Sequence, residues 1–214
     1  MKRGLFITIE GGEGSGKTSL IRHLSDRLTA FQYPHIFTRE PGGTPFSEEV
    51  RHLVLHSKKI CGVDPLAELL LFIAARIEHV QKVIEPALNS GTTVLCDRFT
   101  DSSVAYQAYG RECDPEQTWQ LCTTLVPLLP DLTFYLDISP RLGSERLNKR
   151  QQDERDRLES ETEQFHERVR AGYLDLAKRC PDRIIVLDAT QTEEELAREA
   201  QKVLSKWIGD HPCT

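Results

Sequence analysis

The sequence predicts a doubly wound α/β domain, and three observations carry that expectation. Five short apolar runs recur along the 214 residues, amphipathic stretches lie between them, and a glycine-rich loop joins the first run to the first such stretch. The runs occupy residues 5–9, 35–38 (the weakest), 93–96, 132–136 and 184–187. Their nearly continuous β-branched and apolar composition suits strands buried on both faces, as in a parallel sheet. The intervening segments are long enough for right-handed crossovers. A chain of this length is expected to form one domain.

The helices announce themselves separately. Leu20, Ile21, Leu24 and Leu28 line one face directly after the glycine-rich loop. Asp64-Pro65 sets a capping carboxylate before a proline at the first helical position, and the helical pattern then runs to about Ser90-Gly91 with a bend near Pro86. Asp114-Pro115 repeats that start signal, with Gln117 at the capping-box position. Thr192 and Glu195 form a second such box, followed by an apolar stripe of Leu196, Ala200, Val203, Leu204, Trp207 and Ile208. No internal repeat is evident, and the charge-dense segment 148–157 breaks the apolar rhythm.

Composition narrows the function classes. The net charge is -6 with 27 Lys plus Arg, so the surface lacks the basic excess that duplex binding calls for, and no nucleic-acid partner is expected. A local basic pocket for a small anion stays compatible with that balance. The six cysteines form no CxxC and have no histidine at zinc spacing, so reduced thiols in a cytoplasmic protein are expected. There is no signal-peptide pattern and no apolar run of about 18 residues, so no membrane span is expected.

The strongest local signal is Gly11-Gly12-Glu13-Gly14-Ser15-Gly16-Lys17-Thr18, which fits GxxxxGK[ST] between a strand and an amphipathic helix. Glycines let consecutive backbone N–H groups curl around phosphate oxygens, and the helix adds its positive end. Lys17 is placed to reach the outer phosphates of ATP, and Thr18 to offer its hydroxyl to Mg²⁺. A carboxylate at Glu13 repels phosphate unless it serves a metal or a second substrate; otherwise it faces solvent.

A second set of residues follows the strand at 93–96. Asp97 ends it at the edge that opens into the ligand crevice of a parallel sheet, where it can serve Mg²⁺ or orient an attacking oxygen. Arg98 can grip a phosphate with two prongs, and the alternative is a surface ion pair between the two. Arg39 leads into a shaped Pro-Gly-Gly loop. Phe72 and Arg76 lie one helical turn apart, suited either to stacking a base beside a phosphate or to core and surface duty. The stretch from Ser102 to Gln107, with Ser103 and Tyr106, supplies polar groups and an aromatic that suit a base edge or an ordinary loop.

These blocks together resemble the thymidylate kinase family over nearly the whole chain: the loop at 11–18, 39–44, 72–76, 97–99, 105–107, Arg111, 131–137 and 156–157. The resemblance implies a P-loop nucleoside monophosphate kinase fold, a five-stranded parallel sheet flanked by helices, and transfer of the γ-phosphoryl group of ATP to dTMP with Mg²⁺. It also implies a homodimer. It assigns stacking on thymine to Phe72, the monophosphate to Arg76 and Arg98, the base edge to Ser103 and Gln107, and the sugar or ring to Tyr106. Arg39 would sit near the transferring group, and Glu13 would bear on dTMP and metal placement. Gly14 stands where the eukaryotic-like type carries an arginine, so the chain resembles the bacterial type. That type draws the charge from a lid, here at about 148–160, with Arg150, Arg155 and Arg157 as candidates. The lid is slightly longer than the family pattern, and Ser103 reaches less far than the Thr or Asn common there.

Other readings weigh differently. A deoxynucleoside kinase would need a carboxylate base such as Glu13 or Asp97. A guanine-nucleotide switch would need NKxD, and the segment at 148–151 lacks the final Asp.

Overall fold

The computed structural model describes residues 3–57, 60–150 and 156–210. Its centre is an all-parallel five-stranded sheet of β1 (Phe6–Gly11), β2 (His35–Arg39), β3 (Thr93–Asp97), β4 (Leu132–Asp137) and β5 (Ile184–Asp188). The strand order β2-β3-β1-β4-β5 places the first strand in the middle, so the chain reverses direction beside it. Register pairs Ile9 with Asp97 and Arg39 with Asp97. The ends of β1, β2 and β3 thereby bring the glycine-rich loop, Arg39 and Asp97 to one rim, where parallel sheets bind ligands.

Two helices cover one face. The apolar side of α1 (Lys17–Ala30) packs with that of α9 (Glu193–Asp210) on Ile7, Ile9, Leu95, Phe134 and Leu136. Thr192 and Glu195 cap α9 reciprocally, Thr192 N donating to the carboxylate at 3.1 Å and Glu195 N to the hydroxyl at 3.3 Å. The other face carries α2 (Pro45–His56), α3 (Pro65–His79), α4 (Glu85–Asn89), α5 (Thr100–Ser103), α6 (Pro115–Leu125) and α8 (Glu163–Arg179). Asp64 and Asp114 cap α3 and α6 as their spacing predicts.

Three features depart from the sequence reading. The bend expected at Pro86 is a π-helical turn over Val80–Ile84 that joins α3 to α4, widening the helix just before a residue with no N–H. The polar stretch from Ser102 to Gln107 is helical throughout: α5 runs into a second π-helical segment, Val104–Gly110. The glycine-proline loop after β2 hides a helix start, with Thr44 capping α2 through Ser47 N at 3.1 Å.

Candidate active site

The glycine-rich loop turns from β1 into α1 through Gly14 and Gly16, whose φ values of 69° and 96° lie in the left-handed region. Lys17 opens α1 and folds its amine back over the loop, 3.2 Å from the Gly11 carbonyl and 3.1 Å from that of Gly12. Glu13 Oε1 lies 4.0 Å from the same amine. The Arg98 guanidinium grips Glu13 from the other side. Burial alone would raise the Glu13 carboxyl, but Lys17 and Arg98 outweigh it and hold it at about 2.

Arg98 itself takes a left-handed φ of 69°, a costly conformation for a side-chain-bearing residue that surrounding bonds must hold. Its N–H donates to Ile9 O at 3.0 Å, and Phe99 N donates to Glu10 Oε1 at 2.8 Å. Glu10 Oε2 accepts from Ser102 Oγ at 2.6 Å and from Tyr173 OH at 2.9 Å, and both hydroxyls face Arg98 Nη1. Burial, then the nearby Asp101 charge, pushes the Glu10 carboxyl up to about 7 against the lowering pull of Ser102 and Arg98.

Beside this cluster lies a cavity of about 160 Å³ lined by Phe72, Arg76, Ser103, Tyr106 and Gln107 together with Lys17, Glu13, Arg39, Asp97 and Arg98. The structure thus gathers the predicted acceptor residues into one place. Tyr106 lies under Arg98, its ring centroid 5.1 Å from the guanidinium carbon. Arg39 stays half-exposed and pairs with Glu48 at 3.1 Å. Arg76 is buried, with Nε on Glu40 Oε2 at 2.6 Å and Nη2 on Ser103 Oγ at 3.0 Å. His79 holds the other oxygen of Glu40 at 3.0 Å and Thr38 Oγ1 at 2.7 Å. Arg98 thus meets Glu13, whereas Arg76 meets Glu40 and Ser103. Gln107 donates its Nε2 to Glu68 at 2.9 Å.

Sequence reasoning passed over four residues here. Arg51 of α2 lines the cavity and donates to Pro41 O at 3.0 Å. Burial, then the neighbouring Arg39, depresses its guanidinium, as expected where cations crowd a site for an anion. Glu10, Glu40 and Glu68 are each at most 5% exposed, so they act through neighbours and no local spacing marks them. For Glu10 and Glu68 a carboxylate beside apolar residues, where a core residue is expected, was the available signal; Glu40 sits in the loop after β2 and carries no such mark.

Of the three lid candidates, the side chain of Arg150 and all of Arg155 fall outside the described residues. Arg157 is described: its Nε donates to Val54 O at 2.9 Å and its Nη2 to Glu68 Oε2 at 2.5 Å. Its backbone N–H donates to Leu55 O at 3.0 Å, anchoring the segment to the end of α2.

On the other flank of the loop a cavity of about 330 Å³ is lined by Gly14, Ser15, Gly16, Ser19, Arg146, Gln191 and Thr192. The helix α7 (Pro140–Arg150) carries Arg146, which is tied to Ala189 O at 2.7 Å. Among the described residues three cavities thus touch the phosphate loop: the acceptor cavity through Glu13 and Lys17, this one through Gly14, Ser15 and Gly16, and a third of about 340 Å³ through Gly12 and Glu13. Asp97 Oδ1 is buried without a hydrogen-bond partner among the described residues, and the Thr18 hydroxyl opens the same helix as Lys17. Hard oxygen donors of that kind fit Mg²⁺. Glu13 fits less well, since Arg98 and Lys17 already occupy it.

A parallel sheet with this strand order, a P-loop, and cavities lined by the loop's own residues define a P-loop nucleotide phosphotransferase. The family model described as "Thymidylate kinase" matches residues 9–200. A thymidylate kinase of Deinococcus radiodurans is 46% identical, covering 96% of this chain and 98% of its own length. One from Protochlamydia amoebophila is 42% identical, with 97% and 95% covered. A crystal structure of thymidylate kinase from Ehrlichia chaffeensis superposes with a TM-score of 0.76 at 37% identity, covering 95% of this chain and 99% of that one. The chain belongs to the thymidylate kinase family.

Proposed function

We infer that the chain carries out the reaction of its family: it transfers the γ-phosphoryl group of ATP to the 5′-phosphate of dTMP, giving dTDP and ADP on the route to dTTP. The observation that carries this reading is the convergence of Lys17 and Arg98 on Glu13, all three lining the acceptor cavity beside the phosphate loop. The acceptor phosphate is already ionised near neutrality, since its second pKa is about 6, so no strong general base is needed. Catalysis then rests on opposing charge and aligning oxygens. ATP lies along the loop from Gly11 to Thr18 with its base towards Arg146 and Gln191. Phe72 stacks on thymine, Tyr106 meets the sugar or ring, and Arg76, Ser103 and Gln107 face the base edge. Arg98, Arg39 and Arg51 hold the acceptor phosphate.

Thr18 and Asp97 would hold Mg²⁺, which when bound supplies charge neutralisation on the phosphate oxygens. Glu13 is read as the carboxylate that holds Arg98 and Lys17 apart and aligned. The segment at about 148–160 closes as a lid within one kinase domain, excluding water as a competing acceptor, and Arg150 or Arg155 brings the remaining positive charge. The protein is a cytoplasmic homodimer. No helix among the described residues is long and apolar enough to cross a membrane, and nucleic acid is not a partner. The helices α3 and α6, which pack on each other, carry exposed Leu66, Leu70 and Leu125, an apolar surface suited to a second copy. Phosphorus NMR of the protein with Mg·ATP and dTMP tests the reaction: paired growth of dTDP and ADP supports it, and ADP with free phosphate alone contradicts it.

A further inference from the structure

A single buried carboxylate, Glu68, stands behind the base-edge end of the acceptor cavity. It is 2% exposed and gathers three donors, from Gln107, from Arg111 four residues on, and from Arg157 much later in the chain. Gln107 Nε2 reaches Oε1 at 2.9 Å, Arg111 Nε reaches the same oxygen at 3.4 Å, and Arg157 Nη2 reaches Oε2 at 2.5 Å. Two guanidinium groups make a buried carboxylate tolerable there. What they leave over is one directed bond to an uncharged amide.

That bond has a consequence for the cavity. A carboxylate only accepts, so the amide group of Gln107 must turn its nitrogen towards Glu68. The carbonyl oxygen of the same amide is then committed to the other side, where Gln107 lines the acceptor cavity. An oxygen at that place accepts from a ring N–H. Thymine and uracil carry a hydrogen on N3, and cytosine presents a bare, accepting N3. Turned the other way, the amide would offer N–H and favour cytosine.

We propose that Glu68 is a specificity-determining positioning residue: by accepting the amide N–H of Gln107 it presents a hydrogen-bond acceptor to the acceptor base and so selects pyrimidines that carry N3–H. This rests on the reading that the cavity holds the monophosphate substrate.

The test is the ratio of kcat/KM for dTMP to that for dCMP in the full-length protein. In Glu68→Gln the new amide can donate to Gln107, which is then free to turn. The ratio is expected to fall at least about tenfold, with the loss on dTMP mostly in KM, the worth of one directed bond gained or lost. Glu68→Asp keeps the charge facing the two arginines but shortens the reach to Gln107 by a methylene, and it should lower the ratio in the same direction. In a Gln107→Leu background, Glu68→Gln should change the ratio no further. Equal losses on dTMP and dCMP in either single variant, or a further drop in the Gln107→Leu background, would overturn the proposal. Failure of the substrate reading itself looks different: the unaltered protein would then show no preference for dTMP over dCMP.

Discussion

Gly14 and Gly143 face each other so closely that neither position has room for a side chain. A β-carbon on Gly14 would stand 2.2 Å from the Gly143 carbonyl oxygen, and one on Gly143 would stand 2.4 Å from the Glu13 carbonyl oxygen. The P-loop and α7 are thus in backbone contact, and α7 is the helix that leads into residues 151–155. Gly14 is also the surface on which α7 rests.

Gly143→Ala tests that contact. Gly143 lies within α7 and has no positive φ, so alanine is acceptable to its backbone and even favours the helix. The clash alone remains, displacing α7 or the loop by a fraction of an ångström to about an ångström. The expected result is a fall in kcat of about tenfold or more with the fold retained, read by steady-state kinetics beside a thermal melt. Unaltered kinetics would show that the contact has no bearing on phosphate placement.

The positive cluster makes its own prediction. Lys17→Ala and Arg98→Ala should each lower kcat by about 100-fold or more, since both are assigned to charge that develops during transfer. Arg98→Ala should also raise KM for dTMP. Wild-type kcat and KM in Arg98→Ala would remove Arg98 from the site.

The arginines near the lid separate by role. Arg157→Ala should destabilise the protein by about 1–3 kcal/mol, because it strips a partner from buried Glu68, as urea denaturation would measure. Substituting Arg150 or Arg155 should leave stability close to unchanged, and one of the two should lose kcat by about 100-fold. A large loss of kcat in Arg157→Lys, with stability retained, would return Arg157 to the chemistry.

Glu10 predicts a pH dependence of stability. It is fully buried among Asp101, Arg98, Ser102 and Tyr173 and releases its proton at about 7, against an ordinary value of 4.5. Between those values the folded chain holds a proton that the unfolded chain has lost. The contribution of Glu10 to stability is therefore full below pH 4.5 and is lost as pH rises through 7. Glu10→Gln stays neutral throughout. Stability of the parent relative to this variant should drop by up to about 3 kcal/mol as the pH is raised across that window, measured by urea denaturation in a pH series. A difference that does not vary with pH contradicts the assignment.

Much of the fold could be read from local pattern. The five strands lie within two residues of the apolar runs, and Asp64, Asp114 and Thr192 cap the helices that their spacing marks. The start of α2 escaped because Thr44-Pro45, the same signal as Asp64-Pro65, sits behind Pro41-Gly42-Gly43, where turn chemistry dominates a local reading. The segment from Ser102 to Gln107 was ambiguous because its polar residues are satisfied by partners distant in sequence: Ser102 by Glu10, Ser103 by Arg76 and Gln107 by Glu68. The same physics explains the site. Lys17, Arg39 and Arg98 sit at strand ends and loops that a local reading picks out, whereas Arg51 on α2 and Glu10, Glu40 and Glu68 inside the core join them only when the chain folds. Arg157 looked like a lid cation for that reason, its tie to Glu68 spanning 89 positions.

A light-scattering measurement addresses assembly. Leu70 is 44% exposed and Leu125 47% exposed, on two helices that pack together. Leu70→Glu should shift the mass in solution from dimer to monomer. A monomeric parent protein, or a dimer unaffected by this charge, would place the interface elsewhere or remove it.

The central claim, that this site phosphorylates an existing monophosphate of thymidine, is tested most directly by coupled ADP release over dTMP, dUMP, dCMP, dGMP, UMP and thymidine. Strong turnover with dTMP, weaker turnover with dUMP and none with thymidine is the predicted result. Turnover with thymidine and none with dTMP would contradict it, because Arg98 would then face no acceptor phosphate and a carboxylate base would be required.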